Sequence, residues 1–224
     1  MTGLFDYPRS AAFGRVVPKT RIYEHAGAGA ALKDLFVTQV DQIVWRYKLA
    51  PETINLSATR SVSEIQVFEI GLRTGELDHA VLRAIDRAIP FPLIFELTWS
   101  GKRKAIAALK RPSEADAAKW VVSEYFSTDW VPEKTPRAPL PVALNLGKLY
   151  EAILTALLPV SGGRDESLQE RVARVEAIRA KSREVERISA RLKRERQFNK
   201  RVAINAELRA AAEELANLKG ESAT

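Results

Sequence analysis

Asp86, Glu96 and Lys104 are the residues whose types and spacing come nearest to a catalytic set. Two carboxylates on neighbouring elements can hold a magnesium ion, and a lysine beside them can help an attacking water lose its proton, as a metal-dependent nuclease requires. Such sites usually carry the lysine two residues after the second acid. Thr98 stands there instead, so Lys104 on the returning strand would have to substitute. Other chemistries find less. The chain has no cysteine and two histidines, His25 and His79, neither with a second ligand at metal-site spacing. No Gly-x-Ser-x-Gly nucleophile turn occurs, and Gly27-x-Gly29 opens neither a dinucleotide loop nor a phosphate loop. No cofactor or metal is expected.

Cations are the stronger signal. The 224 residues carry 35 Lys and Arg against 28 Asp and Glu, a net charge of +7. Arg187, Arg191, Lys193, Arg194, Arg196, Lys200 and Arg201 crowd one stretch, opposed there by Glu195 alone, with Phe198 as its central apolar residue. Lys102, Arg103 and Lys104 form a second group. Clusters of this kind bind phosphates, in which case affinity falls steeply with salt, or they meet the acidic face of a partner helix. Both readings stay open.

The elements that would position these groups follow from periodicity. Leu32, Leu35, Phe36, Val40, Ile43 and Tyr47 recur at three- and four-residue spacing and predict a helix ending before Pro51. Residues 65–72 read as a strand buried on both faces. Leu77, Val81, Leu82, Ile85 and Ala88 mark a second helix. Residues 93–99 alternate as a strand, Ser100-Gly101 forms a hairpin turn, residues 102–109 return, and residues 120–126 add a further strand. The expected fold is α+β: a small mixed sheet with packed helices over residues 1–131.

Residues 132–141, with four prolines, read as a linker, and residues 142–160 as a connecting helix. Residues 164–220 form a basic helical arm, free of Gly and Pro until Gly220. Its two halves, Leu168 to Leu192 and Ile204 to Leu218, both show the spacing of a coiled-coil seam, broken at residues 195–200. A continuous helix would reach roughly 80 Å. A hairpin folded at the break is preferred, because a lone narrow apolar stripe must be buried somewhere. The longest apolar run, residues 153–160, is too short to span a bilayer. The protein is therefore expected in the cytoplasm, away from membranes.

Several segments together resemble a known family: Val17-Pro18-Lys19, residues 43–55 (Ile-Val-Trp-Arg-Tyr-Lys-Leu-Ala-Pro-Glu-Thr-Ile-Asn), residues 64–68, residues 85–90, Trp120, residues 125–130, residues 149–151, and residues 195–202 with the Gln197-Phe198-Asn199 run. The chain is similar over nearly all its length to the bacterial and archaeal family called domain of unknown function 4391. Members are often encoded beside DNA methyltransferases and helicases of restriction–modification or phage-defence type. The resemblance implies an accessory subunit of a DNA-acting complex. With the basic clusters, the expectation is a non-catalytic subunit whose α+β core docks a helicase or methyltransferase and whose arm contacts that partner, DNA, or both. It supplies no catalytic residues. A nuclease using Asp86, Glu96 and Lys104, and a homo-oligomer assembled through the arm, are the alternatives.

Overall fold

The computed structural model describes residues 3–113, 120–163 and 165–220. Two compact units divide at residues 158 and 159. The first unit opens with β1 (Phe5–Asp6), a 3-10 turn and β2 (Ala12–Val16). Pro18 then caps α1 (Lys19–Ala26), which stops at Gly27 in the left-handed conformation, φ 61°. Next come α2 (Ala30–Gln39), β3 (Val40–Leu49) and the single turn α3 (Pro51–Ile54).

The predicted helix through Tyr47 is therefore wrong beyond Gln39. β3 contains Val, Ile, Trp and Tyr, which fit a pleated surface. Register shifts between Val40 and Gln42 and between Trp45 and Tyr47 explain the misleading period. Each bulge inserts a residue and resets the alternation of faces. Val40 and Ile43 thus join the same core three positions apart, a spacing that imitates a helix.

β4 (Ile65–Leu72), α4 (His79–Ala88), β5 (Leu93–Trp99), β6 (Lys102–Pro112) and β7 (Trp120–Ser127) follow. The mixed sheet runs β2-β3-β4-β5-β6-β7, with β4 and β5 parallel and its other neighbours antiparallel. Asp78 caps α4 by accepting from the Ala80 amide at 2.8 Å. Ser100 and Gly101 have φ of 47° and 71°, the positive pair that a tight β-hairpin needs. Residues 132–141, read as a linker, are held to the unit instead. β8 (Val131–Pro132) pairs with β6, and β9 (Ala138–Pro139) lies parallel to β1. Prolines lack the donors for longer pairing, so each contact is two residues long.

One sheet face packs Phe68, Phe95, Leu97 and Ile106 against Ile22, Phe36, Leu82 and Ile85 of α1, α2 and α4. Alternation sends Val67, Ile94 and Ala107 to the other face, and they are buried too. There α5 (Leu146–Thr155), capped by Asn145, buries Leu149 and Ile153 and packs on β6. The Tyr150 hydroxyl donates to the Ala108 carbonyl at 2.7 Å and accepts from the Lys110 amide at 3.0 Å.

The second unit is a helical hairpin. Ser167 and Glu170 form a reciprocal capping box at the start of α6 (Leu168–Arg194). α7 (Phe198–Lys219) returns antiparallel, as the Lys181–Glu214 and Arg191–Glu207 ion pairs require. Glu195 makes the turn by accepting from the Arg196 and Gln197 amides, each at 2.9 Å. The apolar stripes close on each other around Ile188, Ile204 and Ala211, flanked by Val185, Leu192 and Leu208. The break in the heptad pattern is thus a fold-back. Ile188→Ala should cost the hairpin about 3 kcal/mol. Hydrogen exchange should then speed up in residues 168–219 and stay unchanged in the sheet; equal protection of the hairpin would show that this seam does not hold it.

Candidate partner-binding site

The carboxylates that sequence reasoning offered to a metal are spent on structure. Asp86 is 5% exposed on the sheet-facing side of α4. It accepts a short hydrogen bond from the Tyr125 hydroxyl, and the Lys110 ammonium stands 3.5 Å away. That ammonium also donates to the carbonyls of Asp86 and Ile89, both at 2.5 Å. Burial raises the Asp86 pKa and lowers that of Lys110, while their mutual attraction opposes both shifts. Desolvation also drives the Tyr125 hydroxyl far upward, with Asp86 adding to it. The cluster joins α4 to β6 and β7.

Glu96 leaves β5 on the opposite face and is 3% exposed. Arg137 grips it bidentately at 2.7 and 2.6 Å and donates to the Phe5 carbonyl at 2.7 Å. Arg103 adds a longer contact at 3.9 Å and pairs with Glu133 at 3.1 Å. Tyr7 is pushed well above its usual pKa, mainly by burial and then by Glu96. Lys104 lies across from Leu97, on the α4 side. Asp86 and Lys104 therefore lie on one face of the sheet and Glu96 on the other. The set proposed for a nuclease is not brought together. Among the described residues no group of three or more His, Asp and Glu is placed to share a metal ion.

The arm bases do converge. The hairpin brings the end of α6 and the start of α7 to one tip, where Arg187, Arg191, Lys193, Arg194, Arg196, Lys200 and Arg201 are all exposed. Arg191 pairs with Glu207, and the Gln197 amide, with the Arg196 amide and the Lys200 charge adding to it, holds the Glu195 carboxyl below its usual value. Arg187, Lys193, Arg194, Arg196 and Arg201 form no ion pair among the described residues. A shallow groove runs between Arg187, Ala190, Arg191, Arg194 and Glu195. Phe198 is 77% exposed and Val202, one turn later on α7, 54%. Sequence reading found Phe198 but missed Val202, whose spacing from it is visible only once α7 is known to start at Phe198. Of the second basic group, Arg103 is consumed by Glu96 and Glu133, which leaves Lys102 and Lys104.

Arg137 was missed because nothing local marks a base among prolines as buried. Arg137→Ala should leave the Glu96 charge without its main partner and cost about 3–5 kcal/mol in chemical denaturation. Arg137→Met with Glu96→Gln should recover most of that loss. Equal destabilisation by the single and double variants would refute the pair as the link between residues 132–141 and the sheet.

No curated protein and no solved structure matches this chain. Among the described residues no helix is long and apolar enough to cross a membrane. One family profile does match, over residues 5–215, and takes in the sheet unit, the Gln197-Phe198-Asn199 turn and nearly all of α7: the chain belongs to the family described as a domain of unknown function (DUF4391).

Proposed function

We propose that this protein is a non-catalytic assembly subunit of a DNA-acting complex and that it docks its partner with the tip of the helical hairpin. The observation that carries this reading is the composition of the tip. Five exposed bases that form no ion pair among the described residues share the tip with exposed Phe198 and Val202, on two helices already packed against each other. Exposed cations usually find counter-charges within their own helix at three- and four-residue spacing. Here seven bases share one acid of their own stretch, Glu195, and of the acids farther along the hairpin Glu207 reaches Arg191 while Glu184 and Glu214 pair with Lys181. A rigid hairpin also loses little conformational entropy on binding, so its contacts appear as affinity.

The matching surface is acidic with an apolar pocket that takes Phe198. The family resemblance points to a helicase or DNA methyltransferase as its owner, within a restriction–modification or phage-defence system, and to DNA phosphates as further ligands of the same bases. The buried pairing of Asp86 and Glu96 supports a scaffold role for the sheet unit over hydrolysis.

Charge reversal at Arg194, Arg196, Lys200 and Arg201, each to Glu, should abolish recovery of the helicase or methyltransferase in affinity purification from the native host, with circular dichroism unchanged. Phe198→Ala alone should weaken recovery roughly tenfold, in line with loss of an apolar anchor. Undiminished recovery with the fourfold variant would overturn the reading.

A further inference from the structure

Within the sheet unit, the turn of the β5–β6 hairpin gathers residues from separate parts of the sequence. Trp99 and Lys102 face each other across the hairpin, and Leu97 faces Lys104, so Trp99, Lys102 and Lys104 lie on one face of the sheet. Trp130 closes the group. Its ring centroid is 6.4 Å from that of Trp99, and the Lys104 ammonium lies 5.1 Å above it. The face is built as well as exposed. The Trp99 ring packs closely on Gly75, where an added Cβ would come within 3.1 Å of the indole, and the side chain still remains 38% exposed.

Lys104 is the unusual member. Partial burial lowers its pKa, and the charge of Asp129 opposes that shift. Lys19 and Lys110, also desolvated, each donate to backbone carbonyls, whereas Lys104 and Lys102 find no hydrogen-bond acceptor among the described residues. Two cations without acceptors among the described residues, spaced about 7 Å apart along one strand, beside a packed and accessible indole, suit one class of ligand. Its backbone is anionic and its side groups are flat.

We propose that this face binds a single-stranded polynucleotide, with one base stacked on Trp99 and the flanking phosphates on Lys102 and Lys104. Duplex DNA presents phosphates but keeps its base faces inside the stack, so an indole on a surface cannot reach them. A single strand offers a π-face at every step and tolerates any sequence. The site is independent of the arm tip and gives the protein its own hold on an unwound strand.

The test uses the full chain with Arg187, Arg191, Lys193, Arg194, Arg196, Lys200 and Arg201 changed to Gln, so that the tip bases do not contribute. Labelled oligothymidine and oligouridine are titrated at low salt by fluorescence anisotropy, with tryptophan quenching read in parallel. The proposal expects binding and quenching. It expects Trp99→Leu to weaken affinity roughly tenfold and Trp99→Phe to recover most of that loss. Lys102→Gln with Lys104→Gln should reduce the log–log salt slope by roughly 1.4. Preference for one oligomer would tell DNA from RNA. No binding, affinity unchanged by Trp99→Leu, or a blunt duplex competing as well as the single strand would each overturn it. None of these results bears on partner recovery through the tip, so the two readings fail separately.

Discussion

A charge inside a sheet that is covered on both faces must find a counter-charge there, because isolated burial costs more than folding can return. This constraint shapes the first unit. Asp86 is answered by Lys110 and Tyr125 on the side of α4, and Glu96 by Arg137 on the side of α5. The second pair reaches furthest. It anchors a proline-rich segment that can form only two-residue strands, and through the Phe5 carbonyl it fixes the chain's first strand as well. The same pairs remove both carboxylates from any chemistry that needs them open to metal and water.

Where the constraint is absent, cations can stand without a counter-charge. Five bases of the hairpin tip, and Lys102 and Lys104 at the turn of β5 and β6, form no ion pair among the described residues. In both places the bases stand beside exposed apolar or aromatic side chains, Phe198 and Val202 at one and Trp99 at the other. Charge alone gives long-range attraction that salt screens. An adjacent rigid apolar group adds short-range selectivity, which is why these two surfaces carry the functional reading.

How much of this was legible in the sequence depends on the range of the interaction. Strands 65–72 and 93–99, the Ser100-Gly101 turn and the fold-back at residues 195–197 announce themselves through runs, alternation and a broken heptad, all local signals. The helix-to-strand change at Gln39 and Val40 was hidden by bulges that reproduce helical spacing. Glu96 and Arg137 lie 41 positions apart, and the contact of Trp99 with Trp130 also depends on tertiary folding. The basic tip was legible as composition. That Phe198 and Val202 stand one turn apart beside those bases required α7 to begin at Phe198.

The central claim, that the hairpin tip is the docking surface, is tested most directly by lysine cross-linking and mass spectrometry on the complex purified from its native host after nuclease treatment. The account predicts that Lys193 and Lys200 cross-link to a helicase or methyltransferase. If the partner's links fall on the sheet unit while those two lysines react only with solvent-quenched reagent, the tip is not the docking surface and the account is wrong.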